Sequence, residues 1–286
     1  MAVQNSLTKA NPNQRLGLAA YLTKDAVKDQ INKVVGGKDG QRFISAIVSA
    51  TTTNAMLQEC TNQSILSGAL LGESLKLSPS PQLGHYYLVP FNDKEKGKVA
   101  QFQLGYKGYI QLAIRSGQYK KLNVMAIKEG ELESFDPLNE EIKINLRVDN
   151  WDEREGLPTI GYYAFFELVN GFRKAIYWSK GQMEAHALKY SPGYKKDKEK
   201  GLNYTFWSKD FDGMAYKTLL RQLISKWGIM SIDMMTAMDS DMAVINEDGS
   251  KNYVETEEPI VIDATIVDEV QPEQTGTSAH DALFGN

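Results

Sequence analysis

Residues able to make or break bonds are thinly spread along this chain. Its histidines, His85, His186 and His280, lie far apart and show no metal-ligand spacing. The one cysteine, Cys60, excludes a disulfide framework and a cysteine zinc site within one chain, and fits a reducing cytosol. No Gly-x-Ser-x-Gly elbow occurs. The acid pairs Glu140/Glu141, Asp210/Asp212 and Asp239/Asp241 are poor candidates for a two-metal nuclease, because an i, i+2 pair on a helix does not converge. The run Gly36-Gly37-Lys38-Asp39 lacks the leading glycine spacing and the following Ser/Thr of a phosphate-binding loop, which argues against an ATP-driven machine. No catalytic or metal-ligating set emerges.

Binding chemistry is better represented, in three clusters. The first is Gln101–Gly117, an alternating stretch that passes through Gly105-Tyr106-Lys107-Gly108 into a short helix. With that helix starting near Tyr106, Tyr109, Ile110, Ala113 and Ile114 fall on one side and Lys107, Gln111 and Arg115 on the other. Glycines let the backbone approach another molecule. Two cations and an amide beside them suit consecutive phosphates, although the same pattern also describes a solvated helix face. The second cluster lies on a helix expected from about Asp210 to Trp227. There Lys217 and Arg221 are four apart, with Lys209 and Lys226 beyond, and no acid occurs between Asp212 and Asp233 to pair with them locally. The third is a polar loop expected over 191–204. Lys189, Lys195, Lys196, Lys198 and Lys200 interleave there with Tyr190, Tyr194 and Tyr204, followed by Phe206-Trp207. Lysines with aromatics can grip a nucleic-acid backbone and stack on bases; they also occur in ordinary solvated loops.

The elements that must carry these clusters follow from periodicity. A helix is expected from about Leu22 to Val35, and two more over 41–77, with Thr61 capping the second. Ser78-Pro79-Ser80-Pro81 ends helix formation. Residues 84–178 alternate as strands. A hairpin is expected across Asn92–Gly97, strands over Leu122–Lys128 and Glu141–Val148, and a second hairpin at Asn170-Gly171. Ser179-Lys180-Gly181-Gln182 forms a capping box that opens a helix to about Tyr190. A last helix is expected from Ser231 to about Ile245, where Met234, Met235, Met238 and Met242 fill core or a subunit contact.

At 286 residues, 42% hydrophobic and 24% charged, the composition is that of a soluble globular protein. No apolar run approaches the roughly 18 residues of a membrane span. The polar residues 1–14 contain no signal-peptide core. The net charge of −4 conceals a division: ten carboxylates against Lys251 give residues 247–286 a charge of −9, leaving the remainder at +5. A basic body with an acidic tail is common among proteins that handle nucleic acid. The expected organisation is an extension with a short helix over 1–40, a core over 41–246, and an acidic, disordered tail over 247–286.

Several segments, in order, resemble the RecT family of phage-type single-strand annealing proteins. They are the helix Ser64–Leu77, the stretch Gly84-His-Tyr-Tyr-Leu-Val-Pro-Phe91, the Gln101–Gly117 segment, which is the most specific, and the later helix with Lys217 and Arg221. One departure is Ile114, where many relatives carry a second Arg beside Arg115. The resemblance covers roughly residues 40–245. It implies an α+β fold, an antiparallel sheet with hairpins packed against helices, similar to λ Redβ. It also implies a cytoplasmic bacterial DNA-recombination protein that is not an enzyme, uses no ATP, and assembles into rings or helical filaments on DNA. The implied partners are single-stranded DNA, its complement and an exonuclease; a non-catalytic Mg2+ dependence stays open. DNA contacts are expected from Tyr106, Lys107, Tyr109, Gln111, Arg115, Lys189, Lys195, Lys196, Lys198, Phe206, Trp207, Lys209, Lys217 and Arg221. The tail has two readings: a solubilising extension, or a docking segment for host single-strand DNA-binding protein or the exonuclease through Pro259–Ile262 or Asp281–Phe284. A passive single-strand coat protein and a metal-dependent nuclease are the alternative functions.

Overall fold

The computed structural model describes residues 17–36, 39–139 and 141–253. The expectation of a disordered tail falls chiefly on 254–286, outside the described residues. The chain opens with helices α1 (Leu18–Leu22), α2 (Asp25–Val35), α3 (Gly40–Thr52) and α4 (Asn62–Ser74). The Thr61 hydroxyl accepts from the Ser64 N–H and caps α4, as its sequence position predicts. A hairpin of β1 (Tyr86–Asp93) and β2 (Gly97–Leu104) follows, then α5 (Tyr106–Arg115). Strand β3 (Tyr119–Lys128) leads to a separate hairpin of β4 (Leu132–Asp136) and β5 (Glu141–Ile144), and then to the short α6 (Trp151–Glu155). Strands β6 (Thr159–Leu168) and β7 (Arg173–Ser179) complete an antiparallel sheet of order β3-β6-β7. Helices α7 (Lys180–Tyr190), α8 (Pro192–Lys200), α9 (Phe206–Lys209), α10 (Phe211–Trp227) and α11 (Ile232–Ser240) come next, and β8 (Val244–Ile245) pairs with β9 (Lys251–Asn252). The result is the α+β, antiparallel architecture expected.

Helix α10 joins two apolar cores. Its Leu220 and Ile224 pack with the N-terminal helices, the β1–β2 hairpin and α5. Its Ala215, Leu219 and Leu223 pack with Tyr162, Ala164 and Phe166 of β6 and with Met183 and Ala187 of α7. The capping box at Ser179 and Gln182 forms and fixes how α7 leaves β7.

Several boundaries differ from expectation. Thr23 and Lys24 divide the first expected helix into α1 and α2, whose Leu22, Val27 and Ile31 are buried in the main core. Segment 191–204 is largely helical. The Ser191 hydroxyl caps α8, Pro192 stands in its first turn, and Gly201 closes it in the left-handed region (φ 64°). Its polar composition suggested a loop, yet Lys and Glu are good helix formers. The last helix stops at Ser240, because the chain after it turns back along β2: the Met242 N–H donates to Phe102 O and the Phe102 N–H to Ala243 O, both at 2.8 Å. Strand β5 ends at Ile144, short of the expected Val148, so Leu146 and Val148 lie beyond it, and the chain before it forms a further strand, β4, that alternation does not single out.

Two buried carboxylates hold the connections. Glu131 takes a bidentate contact from Arg154 (2.6 and 3.0 Å) and the N–H groups of Lys128 and Arg147. Asp197 accepts from the Tyr204 and Thr205 N–H groups and from the Thr205 and Ser208 hydroxyls, which fixes α9 against α8. Burial pushes both carboxyls up, but these donors outweigh it and hold each below its ordinary value. A carboxyl depressed in the folded state gives stability that is complete above its unfolded pKa and lost as pH falls through the folded one. The urea midpoint should therefore fall between about pH 5 and pH 3. An Asp197→Asn variant should be less stable at neutral pH and show a shallower acid decline; an unchanged decline would contradict this assignment.

Candidate nucleic-acid interface

The Gly105-Tyr106-Lys107-Gly108 corner forms where strand-to-helix reading placed it, at the exit of β2 into α5. Its glycines serve the protein's own packing. A Cβ on Gly105 would lie 2.1 Å from Gly84 O, and one on Gly108 2.1 Å from His85 O. The Gly105 N–H donates to His85 O at 2.9 Å. The expected approach to another molecule is thus an approach to the Gly84–His85 backbone, which sets the helix start against β1. Tyr106 is half-buried and Lys107 is exposed.

Aromatic contacts bring a second predicted cluster to this corner. Tyr106 meets Tyr216 of α10 edge-on at 5.5 Å, and Tyr87 of β1 meets Phe206 of α9 at 5.6 Å. Burial, and then the Asp210 carboxylate, raise the pKa of both Tyr87 and Tyr106. The half-buried rings of Tyr87, Tyr106 and Phe206 thus gather near the exposed Lys107, and the exposed Lys209 follows on α9. Among the described residues neither lysine has an acidic partner within salt-bridge distance. Tyr87 and Tyr216 were absent from the sequence candidates; the aromatic alternation of β1 was the available signal for Tyr87.

Lys107, Gln111 and Arg115 do share the outer face of α5, while Tyr109, Leu112 and Ala113 are buried. Ile114, expected on the inner side, is 58% exposed beside Arg115. The Arg115 guanidinium donates to Leu75 O at 2.6 Å and Lys76 O at 3.3 Å, satisfying carbonyls at the end of α4. His85 sits in this basic neighbourhood. Burial, Arg115 and Lys107 all lower its pKa, consistent with a neutral ring whose Nδ1 accepts the Ser78 N–H at 3.2 Å.

Other sequence candidates are placed differently. Tyr109 is fully buried, and Trp207 packs against Tyr194 and Phe211. Lys217 and Arg221 do have an ion-pair partner, far along the chain. Lys217 Nζ lies 2.9 Å from Asp241 Oδ1 and Arg221 Nη1 lies 2.9 Å from Asp241 Oδ2. The Leu104 N–H donates to the same carboxylate at 2.9 Å. Lys217 is buried, whereas the Arg221 side chain is 43% exposed. Lys189, Lys195, Lys196 and Lys198 lie on α7 and α8; Lys198 pairs with Glu184 at 2.8 Å. Asp210 and Asp212 are engaged as well. Asp210 caps α10 through the Gly213 N–H, and Asp212 accepts the Tyr162 hydroxyl.

An antiparallel α+β scaffold carries this cationic, aromatic corner, whose residue types suit a nucleic-acid ligand. The chain belongs to the RecT family, which it matches over residues 41–259. It is 39% identical over 259 residues to the uncharacterized protein YqaK of Bacillus subtilis (strain 168), covering 89% of this chain and 82% of that protein. It is 28% identical over 227 residues to Protein RecT of Escherichia coli (strain K12), covering 78% and 79%. Membership places it among DNA-recombination and single-strand annealing proteins. Among the described residues no helix is long and apolar enough to cross a membrane.

Proposed function

We propose that this protein anneals complementary DNA single strands without ATP, as an assembly on the strand, and breaks no bonds. The observation that carries this reading is the meeting of Tyr87, Tyr106 and Phe206 beside Lys107, with the exposed Lys209 following Phe206 on α9. The lysines neutralise phosphates without reading sequence. The half-exposed rings give successive bases a stacking face. Gln111, Arg115 and the exposed part of Arg221 extend the same path. Tyr109, Trp207 and Lys217 support it from beneath. Base edges stay outward, so a second strand tests its pairing there. Stacking of about 1.4 kcal/mol per correct step then supplies fidelity. One protomer spans few nucleotides, so assembly along the strand makes annealing cooperative. The cell setting that fits is a bacterial cytoplasm, with an exonuclease supplying single strands and Mg2+ acting at most as a non-catalytic ion. The acidic tail solubilises the assembly or docks host single-strand DNA-binding protein.

The test is annealing of two complementary oligonucleotides with no nucleotide present. Faster pairing, with both strands intact, is the expected result. Tight binding that slows pairing would identify a passive coat protein. Magnesium-dependent loss of the DNA, abolished by Asp210→Asn or Asp212→Asn, would identify a nuclease. The structural engagement of both carboxylates weighs against that last outcome.

A further inference from the structure

The β4–β5 hairpin forms a two-stranded sheet of its own: among the described residues no third strand joins it. Its turn is pre-set, because Asp136 accepts the Leu138 and Asn139 N–H groups and the Asn139 side-chain amide. This turn presents Leu138 at the tip, 88% exposed, with the exposed carboxylates Glu133 and Glu141 on the two strands behind it. The surrounding residues 129–156 carry ten carboxylates against Lys143, Arg147 and Arg154, a formal charge of −7. Residues 173–200, covering β7, α7 and α8, carry +5. Between α7 and α8 lies an open cleft of about 580 Å³, lined by Ala185, Leu188, Lys189, Lys195, Lys198 and Glu199. Its apolar floor and its rim, where Lys189 stands beside Lys195 and Lys198 and these last two reach Glu199 and Glu184, offer a net positive charge to an apolar tip flanked by acids.

The two features cannot meet within one protomer. Phe135 of β4 packs on Tyr177 of β7, while the next residue, Trp178, packs on His186 of α7. Successive strand residues point to opposite faces, so hairpin and cleft lie on opposite sides of the β3-β6-β7 sheet. We infer that the β4–β5 tip of one protomer docks in the α7–α8 cleft of a second copy. Such a contact is heterologous, each copy offering a tip on one side and a cleft on the other, and it propagates into a ring or a filament. Lys189, Lys195 and Lys198 then face a neighbouring protomer. This inference rests on the proposal that the protein works as an assembly.

Two full-length variants test it by sedimentation: Glu133→Lys with Leu138→Arg at the tip, and Lys189→Glu with Lys195→Glu at the cleft. All four positions are exposed, so circular dichroism should match the parent. Each variant alone should sediment as a monomer. An equimolar mixture should re-form large species, because the reversed charges complement one another. The tip variant should bind a short oligonucleotide with the parent's salt dependence. Parent-like assembly by the tip variant, a mixture that stays monomeric, or a monomeric parent would overturn the docking. So would a cleft variant that assembles normally but loses salt-sensitive DNA binding. Annealing by the parent is read separately, so failure of the contact and failure of the annealing proposal are distinguishable.

Discussion

An Asp241→Ala variant is expected to lose about 3–5 kcal/mol of stability, read from urea or guanidinium midpoints. Asp241 is buried and holds three donors from two elements: Lys217 and Arg221 of α10 and the Leu104 N–H at the end of β2. Removing the carboxylate leaves the buried Lys217 ammonium without its counter-charge, which costs more than the pair itself contributes. Arg221, being partly exposed, recovers water and adds less. The Asp241→Asn variant keeps an acceptor for Leu104 and should fall between parent and Ala. A midpoint within about 0.5 kcal/mol of the parent, the usual range for a surface change, would contradict the assignment. The same geometry changes how a Lys217→Ala/Arg221→Ala variant is read. It should weaken DNA binding and flatten its salt dependence, but Lys217 acts there through the fold.

Lys107 and Lys209 offer a cleaner handle on the DNA itself. Both are exposed and lack acidic partners among the described residues, so a Lys107→Ala/Lys209→Ala variant should keep the parent's stability. Each phosphate neutralised on a single strand contributes roughly 0.7 to the slope of log affinity against log salt. Losing two should flatten that slope by about 1.4 and weaken binding of every sequence alike. Oligonucleotide titrations from about 0.05 to 0.5 M salt measure both effects. Tyr106→Ala should instead weaken binding with the slope intact, since stacking releases no counterions. An unchanged slope in the double variant would remove the corner from the DNA path.

Local features were readable in the sequence where neighbours in the chain decide them. The β1–β2 and β6–β7 hairpins follow from alternation and turn residues, and Thr61, Ser179 and Gln182 cap the helices their spacing predicts. The outer face of α5 with Lys107, Gln111 and Arg115 is a matter of helical period alone. What escaped depends on distant partners. Asp241 lies 24 residues beyond Lys217, so within one helical turn of Lys217 and Arg221 the sequence shows only an unpaired basic stripe. Arg115 reaches carbonyls 40 residues earlier. Tyr87 and Phe206 are joined only by the packing of β1 against α9. The α8 helix was hidden because a lysine-rich, highly polar segment shows little apolar period, even though Ser191-Pro192 is a good helix start. Sequence thus located the basic and aromatic residues, and folding decided which of them stay free to meet a ligand.

The most direct measurement is the rate at which the full-length protein pairs two complementary oligonucleotides without nucleotide, compared with the Lys107→Ala/Lys209→Ala variant under the same salt. Acceleration by the parent, with strands intact, and a loss of that acceleration in a variant of parent-like stability are the predicted results. A parent that leaves the pairing rate unchanged or slows it, or a variant that anneals as fast as the parent, would contradict the account.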